Sequence, residues 1–139
     1  VFLADWPEAL GEDLDASLED RWDSVMNARQ AVLRGLEAAR GQGAIGHPLD
    51  AAVQIKLGDN YKGLADKISD ETWRNILIVS SCAVVGEVKD AEIVFNDEAT
   101  GITVGVSKSQ YEKCPRCWRK LPEVAEKGLC DRCRDVLGK

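Results

Sequence analysis

Apolar residues recur at Leu14, Leu18, Trp22, Val25, Met26, Val32, Leu33 and Leu36, separated mostly by three and four positions. That period predicts one long amphipathic helix from about Asp15 to Arg40. Asp13, Asp15, Glu19 and Asp20 crowd its start and Arg29, Arg34 and Arg40 its later turns, as the helix dipole favours. Gly41-Gln42-Gly43 then ends it. Ahead of it, Pro7 disfavours helix at Trp6, so Asp5-Trp6-Pro7-Glu8 reads as an extended or turning entry.

Beyond the turn Gly46-His47-Pro48 the period changes to two. Ala51 to Leu57 alternates apolar and polar residues and predicts a half-buried strand. Gly58-Asp59-Asn60 turns into a short helical stretch, Tyr61 to Lys67. A second helix starts at Ser69-Asp70-Glu71, with Ser69 as its cap, and runs through Trp73 and Ile76. The β-branched run Ile78 to Val85 is expected to form a central strand. Two further strands are expected at Ala91–Phe95 and Ile102–Val106, joined by the turn-rich segment Asn96 to Gly101. The fold class is therefore α+β: a long helix and a small three- to four-stranded sheet with short helices on one face, in residues 1–106. Residues 107–139 form a separate tail.

That tail holds the most specific chemistry of the chain. Cys114-Pro115-Arg116-Cys117 and Cys130-Asp131-Arg132-Cys133 are two Cys-x-x-Cys pairs, each with an arginine before its closing cysteine. Two such pairs at this separation predict a four-cysteine zinc ribbon or knuckle in which Cys114, Cys117, Cys130 and Cys133 hold one structural Zn²⁺. A segment this short has little core, so the metal supplies much of its folding energy. Two disulfides or four free thiols are the competing readings; against disulfides, Val1 to Asp5 has neither the basic start nor the apolar run of a secretory signal. The fifth cysteine, Cys82, sits in the apolar run Ile76 to Val85 and reads as a small buried hydrophobe.

Charge sharpens the division. The chain has 139 residues and a net charge of −6, yet residues 1–106 carry −10 and residues 107–139 carry +4. Contact with a polyanion therefore belongs to the tail, where clustered cations can act within a Debye length of about 8–10 Å. Arg116, Trp118, Arg119, Lys120, Arg132 and Arg134 are the RNA-binding candidates, because an aromatic ring among guanidiniums suits an unstacked base flanked by phosphates. Equally familiar physics supports the alternative, in which Trp118 packs on the sheet and the cations keep the tail soluble. A DNA-binding ribbon is disfavoured by the acidity of residues 1–106.

No catalytic residues are expected. His47, the sole histidine, lies in a turn and reads as a loop residue, so no Ser-His-Asp set can form. No apolar stretch is long enough for a membrane helix, and no membrane partner is expected. The chain starts at Val1 in mid-phrase, which reads as a piece of a longer protein.

Taken together, Cys114-Pro115-Arg116-Cys117-Trp118, Cys130-x-Arg132-Cys133 and the preceding Ile102 to Lys108 resemble the C-terminal region of bacterial isoleucyl-tRNA synthetases. Val1 to Pro7, Arg29-x-x-Val32, Leu36-Glu37-x-Ala39-Arg40 and Ile45-Gly46-x-x-Leu49-x-Ala51 extend the resemblance over essentially the whole chain. His47, the lead-in Gln110-Tyr111-Glu112 and the spacer Pro122 to Gly128 depart from the pattern. The resemblance implies a class I enzyme that activates isoleucine with ATP and transfers it to tRNA. Its ATP-binding catalytic domain would lie outside this chain. Residues 1–106 would follow an anticodon-binding helical bundle, and residues 107–139 would complete a contact with the anticodon arm. The implied partners are isoleucine tRNA and the rest of the synthetase, in a cytoplasmic monomer.

Overall fold

The structure is a computed structural model of the chain in which residue 5 and residues 15–138 are described. The turning entry expected around Trp6 and Pro7, and the helical position of Leu14, lie outside the described residues. Helix α1 runs Ala16–Gly41, with the Asp15 side chain accepting the amides of Ser17 and Leu18. It closes with the amide of Ala44 on the carbonyl of Ala39 and that of Gly43 on Arg40, both at 3.0 Å. Gly43 takes the left-handed conformation, φ 75°, that this six-to-one closure needs.

The helix is as long as its period predicts, but its buried face is different. Leu18, Trp22 and Met26 are exposed, whereas Val25, Ala28, Ala31, Val32, Gly35, Leu36 and Ala39 are buried. Small residues dominate the contact because the helix lies close on the sheet: a Cβ at Gly35 would sit 3.0 Å from the Val104 side chain. The first turns carry large apolar residues beyond that contact.

Four strands form one mixed sheet in the order β2-β1-β4-β3. They are β1 (Ala51–Lys56), β2 (Ser81–Val84), β3 (Ile93–Asp97) and β4 (Ile102–Lys108). β1 pairs parallel with β2, Ala52 opposite Ser81, and antiparallel with β4, Val53 opposite Val106. β3 pairs antiparallel with β4. Ala51, Val53, Ile55, Ile102, Val104 and Val106 alternate inward to a core shared with Val32, Leu36, Trp73 and Leu77. On the other face the Gln54 side chain accepts the amide of Lys89 at 3.0 Å and donates to its carbonyl at 2.7 Å, pinning the loop before β3.

The run Ile78 to Val85 is not a central strand. Ile78 caps helix α2 (Asp70–Leu77) in a left-handed conformation and is exposed, Val79 and Ser80 are buried links, and only Ser81–Val84 is strand, at the sheet edge. A parallel return beside β1 through α2 leaves the open edge as its place, while the antiparallel β4 occupies the other side of β1. The Asp70 carboxylate takes the Val84 amide at 2.9 Å. Ser69 caps α2 as the sequence predicts, and a 3-10 turn at Asp59–Leu64 replaces the short helix expected to Lys67. Among the described residues, no helix is long and apolar enough to cross a membrane.

Candidate metal centre and its surroundings

β4 continues into the tail, and the Ser109 amide donates to the Asp50 carbonyl at 2.7 Å. A bridge between Lys113 and Lys120 brackets the first Cys-x-x-Cys turn. Inside it, the Cys114 amide donates to Arg119 at 2.9 Å and the Trp118 amide to Cys114 at 2.8 Å. The second pair is built on a helix start: Cys130 is the N-terminal cap of α4 (Asp131–Leu137), and Cys133 lies in its first turn. Between the pairs, α3 (Val124–Lys127) supplies Val124 to a small cluster with the four cysteines, Leu121 and Leu129.

All four sulfurs lie within 4.8 Å of one another, with Cys117 and Cys130 3.6 Å apart. Four thiolates at about 2.3 Å from one ion form a tetrahedron with edges of about 3.8 Å, so the donor set fits a single soft or borderline cation. Burial pushes the Cys114 thiol up, but the amides of Cys130, Cys117 and Arg116 outweigh it and bring it down to about 6. Burial raises Cys117, and pushes Cys130 up to about 12. Collecting four thiolates here requires a cation, and binding one releases protons. Arg116 donates to the Cys133 sulfur at 3.5 Å, which offsets part of the thiolate charge. Cys82 stands apart on the sheet edge, its thiol pushed to about 12 chiefly by burial.

The six basic and aromatic candidates divide by environment. Arg119 donates to the Asn75 side chain at 2.8 Å, and the Lys120 amide donates to the Ser80 hydroxyl at 2.7 Å. The Lys120 ammonium lies 3.6 Å from Asp50. Those two residues hold the tail against the α/β layer. Arg116 is committed to sulfur, Arg132 is exposed and Arg134 half-buried. Trp118 is 55% exposed, with a positive φ of 69° and the Lys113 ammonium 4.6 Å from its ring centre. Trp118 and Lys113 share a notch of about 120 Å³ with His47, Leu49 and Asp50. Reading His47 as a bare loop residue misses this neighbourhood, which only long-range packing creates.

No protein-family profile matches the chain. Individual proteins do. It is 37% identical over 145 residues to the isoleucine–tRNA ligase of Carboxydothermus hydrogenoformans, covering 99% of this chain and 15% of that protein. The enzyme of the same name from Kosmotoga olearia is 34% identical over all of this chain and 15% of its own length. That of Geobacillus thermodenitrificans is 33% identical over 99% and 15%. The chain thus spans about 15% of the length of the curated relatives it matches, and corresponds to their C-terminal part.

Proposed function

The chain belongs to the isoleucine–tRNA ligase family as a homologue of its C-terminal part, and from that premise we propose that it is a zinc-stabilised, tRNA-contacting region without catalysis of its own. Residues 1–106 follow an anticodon-binding helical bundle of the longer enzyme, and residues 107–139 are its zinc-binding tail. Cys114, Cys117, Cys130 and Cys133 bind one Zn²⁺, whose contribution when bound is to cross-link four thiolates and order the tail. Isoleucine is attached to tRNA with ATP in parts of the monomeric, cytoplasmic enzyme outside this chain.

The observation that carries this reading is the four-sulfur cluster, to whose cysteines Arg116, Trp118 and Arg132 are sequence neighbours. The tail then grips the anticodon arm: phosphates set its position and an exposed aromatic meets an unstacked base. Holding that arm orients the distant acceptor end toward the active site.

A second reading, a ribbon that only pins the chain against the α/β layer, draws on Arg119 with Asn75 and Lys120 with Ser80. Arg132 separates the two, because it is exposed and its side chain makes no hydrogen bond or salt bridge among the described residues. Zinc-loaded Arg132→Ala is titrated with isoleucine tRNA over a range of salt. The tRNA-contacting reading expects weaker binding and a salt slope reduced by about 1. Unchanged affinity and slope with zinc still bound would leave the pinning role alone.

A further inference from the structure

Resting on the tRNA-contacting reading above, we infer that the notch between the tail and the turn before β1 takes one unstacked RNA base, with His47 as a reader of its edge. The notch is lined from both sides of the seam: Trp118 and Lys113 from the tail, His47, Leu49 and Asp50 from the turn. Its size, about 120 Å³, suits a single planar heterocycle and no folded element.

Trp118 is prepared for such a role. Its backbone sits in the left-handed region, at φ 69°, which bulky residues rarely adopt. The turn bonds from Cys114 hold it there, so the indole is thrown outward and does not cover the small cysteine cluster. Lys113 lies over the ring at 4.6 Å and the indole is largely exposed, so a base stacked on it would have an ammonium beside it for its phosphate.

His47 supplies direction. Its Nδ1 accepts the Leu49 amide at 3.1 Å, which places the ring's N–H on Nε2. Its own amide donates to the Asp50 carboxylate at 3.0 Å, and Asp50 also faces the Lys120 ammonium at 3.6 Å. The ring is therefore oriented by backbone, and its Nε2–H, which has no hydrogen-bond partner among the described residues, is a donor for a base acceptor. The Asp50 carboxylate beside it offers an acceptor for an exocyclic amino group. Stacking surface, phosphate partner, donor and acceptor within one small notch favour a nucleotide over an apolar peptide side chain, which would leave those polar groups unpaired.

The test uses the zinc-loaded chain and an isoleucine tRNA transcript. His47→Asn keeps a capping acceptor for Leu49 while removing the Nε2 donor, and Trp118→Phe keeps a ring where Trp118→Ala removes it. Binding should weaken on the order of tenfold or more for Trp118→Ala, be partly restored in Trp118→Phe, and weaken about three- to tenfold for His47→Asn. Zero-length ultraviolet crosslinking should join Trp118 or His47 to one nucleotide. If Arg132→Ala weakens binding while the His47 and Trp118 variants do not, the notch is wrong and the wider tRNA role stands. Loss with Trp118→Ala but not His47→Asn overturns the notch in favour of a lone stacking platform. If none of the variants, Arg132→Ala included, changes affinity, both readings fall. Crosslinks from the notch to protein in place of RNA, in the full synthetase with tRNA bound, would also overturn it.

Discussion

Ser80 and Lys120 meet across the seam of this molecule: the fully buried Ser80 hydroxyl accepts the Lys120 amide at 2.7 Å while donating to the carbonyl of Leu49. One side chain on the sheet side thus satisfies a backbone donor of the tail and a backbone acceptor of the turn that carries His47. Because no water replaces a buried hydroxyl without rearrangement, the knuckle has a fixed seat on the layer.

Replacing Ser80 by Ala leaves both groups unpaired. The expected cost is about 1–3 kcal/mol in chemical denaturation. Amide exchange at Lys120 and the amides beside it should accelerate, while exchange within β4 changes little. Unaltered protection at Lys120 would show that the Lys120–Asp50 ion pair and the Arg119–Asn75 bond hold the seat without the Ser80 hydroxyl.

Metal removal acts on the tail first. Its apolar cluster consists of the cysteines with Val124, Leu121 and Leu129, too few contacts to order residues 110–138 unaided. Chelation of the zinc-loaded chain should abolish amide protection in the tail and lower the stability of the layer by part of the binding energy of the seat, with the sheet still formed. A tail that keeps its protection without metal would contradict this.

Asp97 closes the β3–β4 turn, accepting from Thr100 and pairing with Arg34 at 2.8 Å. The Thr100 hydroxyl, then the Arg34 guanidinium, hold its carboxyl below its ordinary 3.8 despite burial. A carboxyl with a lowered folded value stabilises the protein above its unfolded pKa, and that contribution is lost as pH falls through the lowered value. Asp97→Asn should therefore lower stability by about 1–2 kcal/mol at neutral pH and flatten the acid limb below pH ~4. Parallel acid limbs for the two proteins would exclude the assignment.

Gly58 carries a close approach between backbones. A Cβ there would lie 2.2 Å from the carbonyl oxygen of Thr100 and 3.0 Å from Gly101. Gly58→Ala should cost about 1–3 kcal/mol, since neither partner is a movable side-chain tip. Gly63→Ala, where a Cβ meets nothing within 4 Å, serves as the control measured in the same melt.

Local features were legible to different depths. Asp15, Ser69 and Gly43 announce helix ends through caps that act within a few residues, and the structure places the helix ends there. The β-branched content of Ile78 to Val85 pointed to a central strand because composition records burial but not which neighbour provides it. In the fold the run is divided: Ile78 caps a helix and is exposed, Val79 and Ser80 are buried links, and Ser81–Val84 is a half-buried edge strand. Likewise Leu18, Trp22 and Met26 share the helical period of the core residues, yet alanine and glycine take the contact because the sheet lies so close to α1.

By itself the sequence determined the cysteine quartet, the long helix with both its ends, the strand–turn–strand before the tail and the family. These depend on spacing along the chain, and spacing survives without knowledge of the fold. Only the tertiary structure decided that β1 and β4 are the inner strands, that Arg119 and Lys120 serve the seam while Arg132 stays exposed, and that His47 stands beside Trp118. Each of those outcomes rests on residues distant in sequence meeting across a packed interface, where hydrogen-bond geometry and close backbone approach select the partners.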